Sequence, residues 1–244
     1  MATSPSTGSR APRRGALAAA MVALAGMPEH AAGVDAQLRL IARLAPELVA
    51  PVRYASITAL RGDTYTTVAF SDELARAIDE AQYADNRGPC LDALDSGAPV
   101  AVPDIDATVQ WPKFHEVAPG MGLHTSVSVP LYAGRGEPVA VLNVYSNDRV
   151  AMAPLLGRIC SLHGQAGEDL DDGILEELDE GGRELISGYA QALSIRATIK
   201  LALGIIMVEN RCTADDAYVS LCLHAAQADT DLAAAATALV VRGM

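Results

Sequence analysis

Residues 193–218 read LSIRATIKLALGIIMVENRCTADDAY, and this stretch decides the fold of the last part of the chain. Its apolar residues recur at intervals of three and four positions, which predicts an uninterrupted helix. Gly204 lies inside that helix, at a place where two helices could cross closely. The pattern breaks at residues 210–212, and Thr213 with Asp216 has the form of a capping box that opens a second helix.

The first helix of this stretch extends toward the N-terminus, because the same spacing continues upstream. The positions that keep the spacing are Leu185, Ala192, Ile195, Ile199, Ala202 and Ile206, with Gly188 at a skipped position. So narrow a seam is typical of contact with a partner helix, in the same chain or in a second copy. Downstream, Thr230 or Asp231 is expected to cap a third helix. We therefore predict a three-helix unit within residues 185–244.

A run rich in acidic residues and glycine precedes this unit. Nine acidic residues and one arginine, Arg183, lie between Glu168 and Glu184, and five glycines lie between Gly164 and Gly182. A segment of this composition makes a poor core element. We therefore predict a linker and a domain boundary over residues 166–184.

The region before the linker mixes helical and strand patterns. Val34–Leu48 has the spacing of an amphipathic helix, and Ser71 is expected to cap another helix directly after a hairpin. The strand patterns cover residues 54–60, 65–70, 100–102, 125–132 and 138–145. About five strands, mostly antiparallel, with helices gathered on one side predict an α+β fold for a domain at residues 34–165.

The start of the chain is basic and then apolar. Arg10, Arg13 and Arg14 precede an alanine-rich run at residues 16–26, an order also found in signal peptides. The run has alanine in place of leucine, and no convincing cleavage site follows it. We therefore predict a disordered start and a helix over residues 1–33, and no stretch with the apolar length of a membrane span.

Charge and cysteine content narrow the classes of function. The 244 residues have a formal net charge of −12 at pH 7, which argues against non-specific attraction to nucleic acid or to an anionic membrane. The four cysteines are scattered, form no C-x-x-C pair and have no convincing metal-ligand spacing. We expect a reduced, cytoplasmic protein without a metal site.

Two ordered series of short motifs resemble known families. The first series is GPCLDA at residues 88–93, VPDI at 102–105, WP at 111–112, GLHTS at 122–126, VPL at 129–131 and LNVYS at 142–146. Together these motifs resemble bacterial GAF sensory domains, in particular those joined to ANTAR domains. The second series is RATI at residues 196–199, ALGIIM at 202–207 and RCTADDAY at 211–218, and it resembles ANTAR itself. The two series cover roughly three quarters of the chain.

The resemblance implies a signal-responsive regulator. ANTAR domains are three-helix modules that bind paired stem-loops in nascent transcripts and prevent termination, commonly as dimers, with an N-terminal sensor controlling exposure. GAF domains bind small ligands or transmit a signal through helices at their ends. The expected partners are therefore RNA, a small-molecule ligand and a second copy of the chain, with no membrane; the sequence names neither the ligand nor a cofactor.

The RNA-binding candidates come from the ANTAR-like part. They are Arg196, Lys200, Gly204, Arg211, Tyr218 and His224. The three cations, Arg196, Lys200 and Arg211, would contact phosphates. The alternative is that each lies on an ordinary solvated helix face. Gly204 allows either close packing of the third helix or approach of RNA, and Tyr218 is either core or a base-stacking platform. His224 faces away from the apolar stripe.

This sequence departs from the ANTAR pattern in its charges. Leu203 stands where a lysine often precedes the glycine, and residues 228–234 read ADTDLAA where asparagine and basic residues are usual. From Arg196 to the C-terminus there are four basic and five acidic residues. Because phosphate contacts supply much of the affinity for nucleic acid, these departures reduce the RNA affinity that the resemblance implies.

The GAF-like part has its own candidates for a ligand pocket. They are Cys90, Trp111, His115, His124 and Ser126. A cysteine beside a histidine suggests a nucleophile, but no third group is visible that would orient the histidine, so no catalytic residue is assigned and no enzymatic activity is expected.

These observations lead to a first and a second hypothesis of function. The first is an RNA-binding antitermination regulator, in which a GAF sensor controls an ANTAR domain and the chain dimerises through the helix after the linker. The second is a sensory or dimerisation module whose degenerate ANTAR unit no longer binds RNA. The acidic linker is either a self-repelling spacer or an RNA mimic that covers Arg196, Lys200 and Arg211 until a signal moves it.

Overall fold

The protein folds around a five-stranded antiparallel sheet, with a helical unit at its C-terminal end. The computed structural model describes residues 14–164 and 177–243. The strands are β1 (Tyr54–Arg61), β2 (Thr64–Phe70), β3 (Val100–Val102), β4 (Thr125–Ala133) and β5 (Glu137–Ser146). The helices before the predicted linker are α1 (Ala16–Ala25), α2 (Val34–Leu48), α3 (Glu73–Asp85), α4 (Pro89–Ser96), α5 (Pro112–Gly120) and α6 (Arg149–Gly164). Three more helices follow: α7 (Glu180–Asn210), α8 (Ala214–Gln227) and α9 (Leu232–Gly243). The predicted α+β class is confirmed.

The strands lie in the order β2-β1-β5-β4-β3, so β5 is the central strand of the sheet. β4 and β5 are consecutive in the chain and form a hairpin. Gly134 and Gly136 turn the chain between them with φ of 60° and 77°, a backbone conformation that side chains other than glycine rarely adopt. Every residue of β4 is buried. Most of this hairpin is therefore covered on both faces, and its tip lies against the C-terminal helices.

The two faces of the sheet differ in chemistry, because successive residues of a strand point to opposite sides. The apolar face packs against α1, α2, α6 and α7 and includes Ala55, Ile57, Val127, Val129, Leu142 and Val144. The opposite face lies under α3, α4 and α5, and its buried polar residues include Ser56, Thr58, Ser126, Ser128 and Asn143. We call this second layer the polar layer.

The cap of α3 differs from the sequence prediction. The carboxylate of Asp72, not Ser71, accepts the capping hydrogen bond, from the Leu74 amide at 2.9 Å. The hydroxyl of Ser71 instead accepts a hydrogen bond from the Ala55 amide at 2.9 Å, which ties the end of β2 to β1. Both residues can cap a helix, and the contact with β1 decided which one does.

Helix α7 begins inside the predicted linker. Asp179 caps it by accepting a hydrogen bond from the Gly182 amide at 2.8 Å, and the predicted linker end at residue 184 is therefore too late. Glu184 is already one turn inside the helix, where its carboxylate accepts hydrogen bonds from the Gly15 and Leu17 amides at the start of α1. The acidic residues at 168–176 lie outside the described residues.

The buried face of α7 contacts other parts of the same chain. Leu185, Ile199, Ala202 and Ile206 are at most 2% exposed, so the predicted seam packs within the chain. The close crossing occurs at Gly188, where an added Cβ would lie 2.7 Å from Cα of Ala18 in α1. Gly204 was the expected crossing point, but it is exposed and an added Cβ there would meet nothing within 4 Å.

Helix α7 is also longer and more apolar than the sequence analysis allowed for. It has 31 residues and a mean hydropathy of 1.5 over its most apolar 18-residue window, enough by length and composition to cross a membrane. In the structure it packs against α1, α6, α8 and α9. Only 28% of that 18-residue window is buried, and the exposed apolar residues of α7 include Leu201, Met207 and Val208.

The C-terminal unit has the predicted three helices. Thr213 and Asp216 form the expected capping box at the start of α8, and Asp231 caps α9 by accepting from the Ala234 amide at 2.8 Å. The core of the unit consists of Ile199, Ala202, Leu203, Ile206, Ala217, Tyr218, Leu221, Ala225, Leu232, Ala235 and Ala236. Leu203, the position where a lysine is usual, is thus part of this core and is 8% exposed.

Candidate functional site

Two of the predicted RNA contacts face the sensor domain. Arg196 is half-buried, and its Nε donates a hydrogen bond to the Gly136 carbonyl at 2.8 Å while its guanidinium lies 4.6 Å from the centre of the Tyr132 ring. Lys200, four residues later on the same side of α7, forms an ion pair with Glu137 at 2.8 Å. The structure brings the two cations together as predicted, but against the β4–β5 hairpin.

Tyr218 occupies the core of the C-terminal unit. It is 6% exposed, and its hydroxyl accepts a hydrogen bond from the Glu29 amide at 3.1 Å. The guanidinium of Arg135 lies 4.8 Å from the centre of its ring. Burial raises the pKa of the phenol to about 12. With one end in the core and the other on the sensor domain, Tyr218 has no free ring face for base stacking in this state.

Three predicted RNA contacts are exposed. Arg211 follows α7 in a left-handed conformation with φ of 51°; its amide donates to the Met207 carbonyl, and its side chain has no hydrogen bond or ion pair to any described residue. His224 places Nδ1 2.8 Å from the Ser220 carbonyl. Gly204 leaves a gap on the surface of α7. These residues lie on separate parts of the C-terminal unit and form no single cluster.

Sequence reasoning missed two arginines. Arg242 lines a groove of about 300 Å³ between α8 and α9 together with His224. Arg135 at the tip of the hairpin pairs with Asp215 and, at 3.5 Å, with Glu29. In the sequence, Arg242 contributes only to the net charge of the C-terminal unit. No local pattern marks Arg135 as a contact residue, because its partners lie about 80 and 106 positions away in the chain.

The five predicted pocket residues do not share one site. Cys90 lies fully buried at the start of α4, where its amide donates to the Gln82 side-chain carbonyl at 3.1 Å. Trp111 donates from Nε1 to the Asp92 carboxylate at 3.0 Å. Its ring packs edge-on against Phe114 in a second apolar cluster under α3 and α5.

His115 and His124 meet at Asp106 on the surface. Nδ1 of His124 is 2.9 Å from the Asp106 carboxylate, and Nε2 of His115 is 3.2 Å from the Asp106 carbonyl. Arg149 pairs with the same carboxylate and with Asp104. The two imidazoles therefore belong to an exposed ionic cluster, and the structure shows no contact between either of them and Cys90.

Ser126 belongs to the polar layer, which the sequence analysis did not recognise as a unit. At its centre Asp79 of α3 is fully buried and accepts hydrogen bonds from Ser56, Thr67 and Tyr145, each at 2.9 Å, and from Asn143 at 3.3 Å. Burial raises the pKa of Asp79 to about 6, although all four hydrogen bonds lower it. Among the described residues, no Lys, Arg or His forms an ion pair with Asp79.

The polar layer also contains unsatisfied groups. The Ser126 hydroxyl and the side-chain carbonyl of Asn143 are buried and have no hydrogen-bond partner. Such groups are rare in a folded protein and cost free energy unless something binds to them. The layer therefore keeps unused hydrogen-bonding capacity in the interior of the sensor domain.

The chemistry of Cys90 is that of an inert thiol. Burial, with the nearby Asp79 carboxylate, raises its pKa well above the usual value, so the nucleophilic thiolate is disfavoured. Within residues 14–164 and 177–243, no three His, Cys, Asp or Glu side chains are grouped so as to hold a metal ion.

Comparison with known proteins finds two domain families, in the same order as the sequence motifs. The model of the GAF domain matches residues 31–162, and the model of the ANTAR domain matches residues 189–240. No curated protein matches the chain.

Three solved structures are similar to this chain at low identity. The GAF domain region of a membrane protein from Geobacter sulfurreducens PCA is 19% identical over 66% of this chain and 90% of its own, with a TM-score of 0.36. A domain of a two-component sensor histidine kinase protein from Sinorhizobium meliloti 1021 is 14% identical, over 67% and 89%, with a TM-score of 0.37. A GAF sensor protein from Burkholderia vietnamiensis is 15% identical, over 76% and 99%, with a TM-score of 0.40.

Proposed function

Because the chain belongs to the GAF domain family over residues 31–162 and has an ANTAR domain behind it, we propose that it is an RNA-binding antitermination regulator controlled by its sensor domain. The RNA is a pair of stem-loops in a nascent transcript. The protein acts in the cytoplasm, as a homodimer, without catalysis. The observation that carries this proposal is the coincidence of the ANTAR match with a three-helix unit that exposes Arg211 and Lys200.

The charges of the unit set the expected strength of binding. The side chain of Arg211 has no partner among the described residues, whereas Lys200 and Arg196 are engaged by the hairpin. Acidic residues outnumber basic ones from residue 196 onward, so few phosphates can be neutralised at once. We therefore expect modest affinity, with a salt dependence that corresponds to a small number of phosphate contacts.

Arg211→Ala in the full chain is expected to weaken binding to a two-stem-loop RNA about fivefold at low salt and to reduce the slope of log affinity against log salt by about one. The measurement is a titration over a series from about 50 to 300 mM salt, a range in which phosphate contacts change affinity strongly. Arg61→Ala is the matched control, because Arg61 is an exposed arginine of the sensor domain paired with Asp35. Equal losses in both variants would point to general charge alone and contradict a specific surface.

A second candidate function is a dimerisation module that no longer binds RNA. It is favoured by an exposed apolar face on α7, where Leu201 is 51% and Val208 79% exposed and Gly204 lies between them. These positions are seven apart with the glycine at three and four, the spacing at which one helix packs along another. Absence of RNA binding at the lowest salt would favour this candidate.

The dimer itself is testable in either case. We expect Leu201→Glu to raise the dimer dissociation constant at least tenfold, because it places a charge in the apolar contact. Analytical ultracentrifugation over a concentration series measures the change. Gln191→Glu is the control, since it adds the same charge at an exposed polar position of the same helix. An unchanged constant for Leu201→Glu would show that the dimer uses another face.

A further inference from the structure

The tip of the β4–β5 hairpin, residues 132–137, contacts both α7 and α8 of the C-terminal unit, beside the larger contact between α1 and α7. We call this tip the latch hairpin. It presents the Tyr132 ring and the Gly136 carbonyl to Arg196 and the Glu137 carboxylate to Lys200. An added Cβ on Gly136 would lie 3.0 Å from Cγ of Arg196, so the hairpin approaches α7 as closely as its backbone allows.

Arg135 connects the latch hairpin to α8. Its guanidinium pairs with Asp215 in the first turn of α8 and with Glu29 in the α1–α2 loop, and it lies over the ring of Tyr218. Its side chain is 36% exposed, so these contacts are only partly screened by water. Arg135, a residue of the latch hairpin, thus contacts both the α1–α2 loop and the C-terminal unit.

The α1–α2 loop supplies backbone contacts beside the latch hairpin. The Leu232 amide at the start of α9 donates to the Gly26 carbonyl at 3.0 Å, and the Glu29 amide donates to the Tyr218 hydroxyl at 3.1 Å. The Gly134 amide of the hairpin donates to the Met27 carbonyl at 2.8 Å, which joins loop and hairpin. Opening the C-terminal unit would break the first two of these bonds and leave the third intact.

The acceptors that the latch hairpin offers are of the kind that RNA offers. The Glu137 carboxylate forms an ion pair with Lys200, and the Gly136 carbonyl accepts a hydrogen bond from Arg196. The ring of Tyr132 lies against the Arg196 guanidinium. The hairpin therefore engages both cations, although Arg196 is only half-buried and the Lys200 side chain is 42% exposed. We propose that the latch hairpin holds the C-terminal unit closed and competes with RNA for Arg196 and Lys200. This regulation rests on the proposed RNA binding.

The position of the latch hairpin links it physically to the polar layer. β4 and β5 carry Ser126, Asn143 and Tyr145 in that layer, and the same two strands end at the hairpin tip. The layer lies toward the end of these strands opposite the tip, since Ser126 pairs with Tyr145 and the tip begins where Ala133 pairs with Glu137. The acidic residues at 168–176 need play no part in this closure, because Glu137 already provides the carboxylate for Lys200.

Arg135→Ala in the full chain tests the proposal. Removing a cation ordinarily weakens RNA binding, so a gain in affinity is diagnostic of release; we expect about a fivefold gain, from the loss of partly exposed ion pairs and one ring contact. Hydrogen exchange provides a readout without RNA. We expect faster exchange of the Leu232 and Glu29 amides, with the Gly134 amide unchanged as the internal reference. Arg61→Ala serves again as the control, with neither effect.

The outcomes separate this inference from the proposed function. Faster exchange at Leu232 and Glu29 with tighter RNA binding supports the latch. Faster exchange with unchanged or weaker RNA binding overturns the competition and leaves the proposed function in place. Unchanged exchange overturns the latch itself. If neither the wild type nor Arg135→Ala binds RNA at low salt, the proposed function and the competition with RNA both fail. Hydrogen exchange can still show in that case that Arg135 holds the C-terminal unit closed.

Discussion

Gly188→Ala is expected to lower the free energy of unfolding by about 2 kcal/mol, because a methyl group at this position overlaps the backbone of another helix. The added Cβ would lie 2.7 Å from Cα of Ala18 and 3.1 Å from the sulfur of Met21. Helices α1 and α7 would have to move apart, and the intrinsic gain in helix propensity of about 1 kcal/mol does not offset that. Urea unfolding measures the change.

Gly204→Ala is the matched control, with the opposite expected sign. It makes the same chemical change in the same helix, but nothing lies within 4 Å of the added Cβ. Alanine should therefore stabilise the exposed helix by up to about 1 kcal/mol. Destabilisation of the monomer by Gly204→Ala, or an unchanged stability in Gly188→Ala, would contradict the packing described for α7.

Asp79 is expected to make the protein less stable as pH rises from about 4 to about 6. Its pKa is 3.8 in the unfolded chain and is raised to about 6 by burial, so between these values the unfolded state has released a proton that the folded state still holds. Its stabilising contribution is present below the unfolded pKa and lost as pH rises through the folded one. Two pKa units correspond to about 3 kcal/mol.

Asp79→Asn should remove this pH dependence. The amide can keep the oxygen that accepts from Ser56 and Tyr145 and turn its nitrogen to Thr67. The free energy of unfolding of the wild type, minus that of Asp79→Asn, should therefore fall by about 3 kcal/mol between pH 4 and pH 7. Glu80→Gln, an exposed acid on the same helix, should leave the slope unchanged. Parallel curves for wild type and Asp79→Asn would show that the buried carboxyl does not titrate in this range.

Secondary structure was the part of the fold that local sequence patterns predicted well. The helix at Val34–Leu48 and the capping box at Thr213 have the expected bounds, because apolar spacing and caps act over three or four residues. The cap of α3 shows the limit of this reasoning. Ser71 and Asp72 are both good caps, and a hydrogen bond from Ala55, sixteen positions away, decided between them.

The candidate site was less predictable, because side-chain roles depend on distant neighbours. Arg196 and Lys200 share one side of α7 as their spacing requires, but their partners in the hairpin are about 60 positions away. Cys90, His115 and Ser126 lie near one another in the sequence, yet alternation of the strands and the path of α5 separate them. Cys90 and Ser126 are buried at the polar layer, whereas His115 lies in the exposed cluster around Asp106.

The sequence by itself determined the α+β class, the order of a sensor-like and a three-helix domain, and the bounds of some elements, such as the helix Val34–Leu48. Each of these follows from interactions between residues that are close along the chain. Only the tertiary structure decided which face of α7 is covered, that Gly188 and not Gly204 is the crossing point, and that Asp79 is buried among hydroxyls. Those facts depend on contacts over long separations, such as the carboxylate of Glu184 at the start of α1, 169 positions from Gly15.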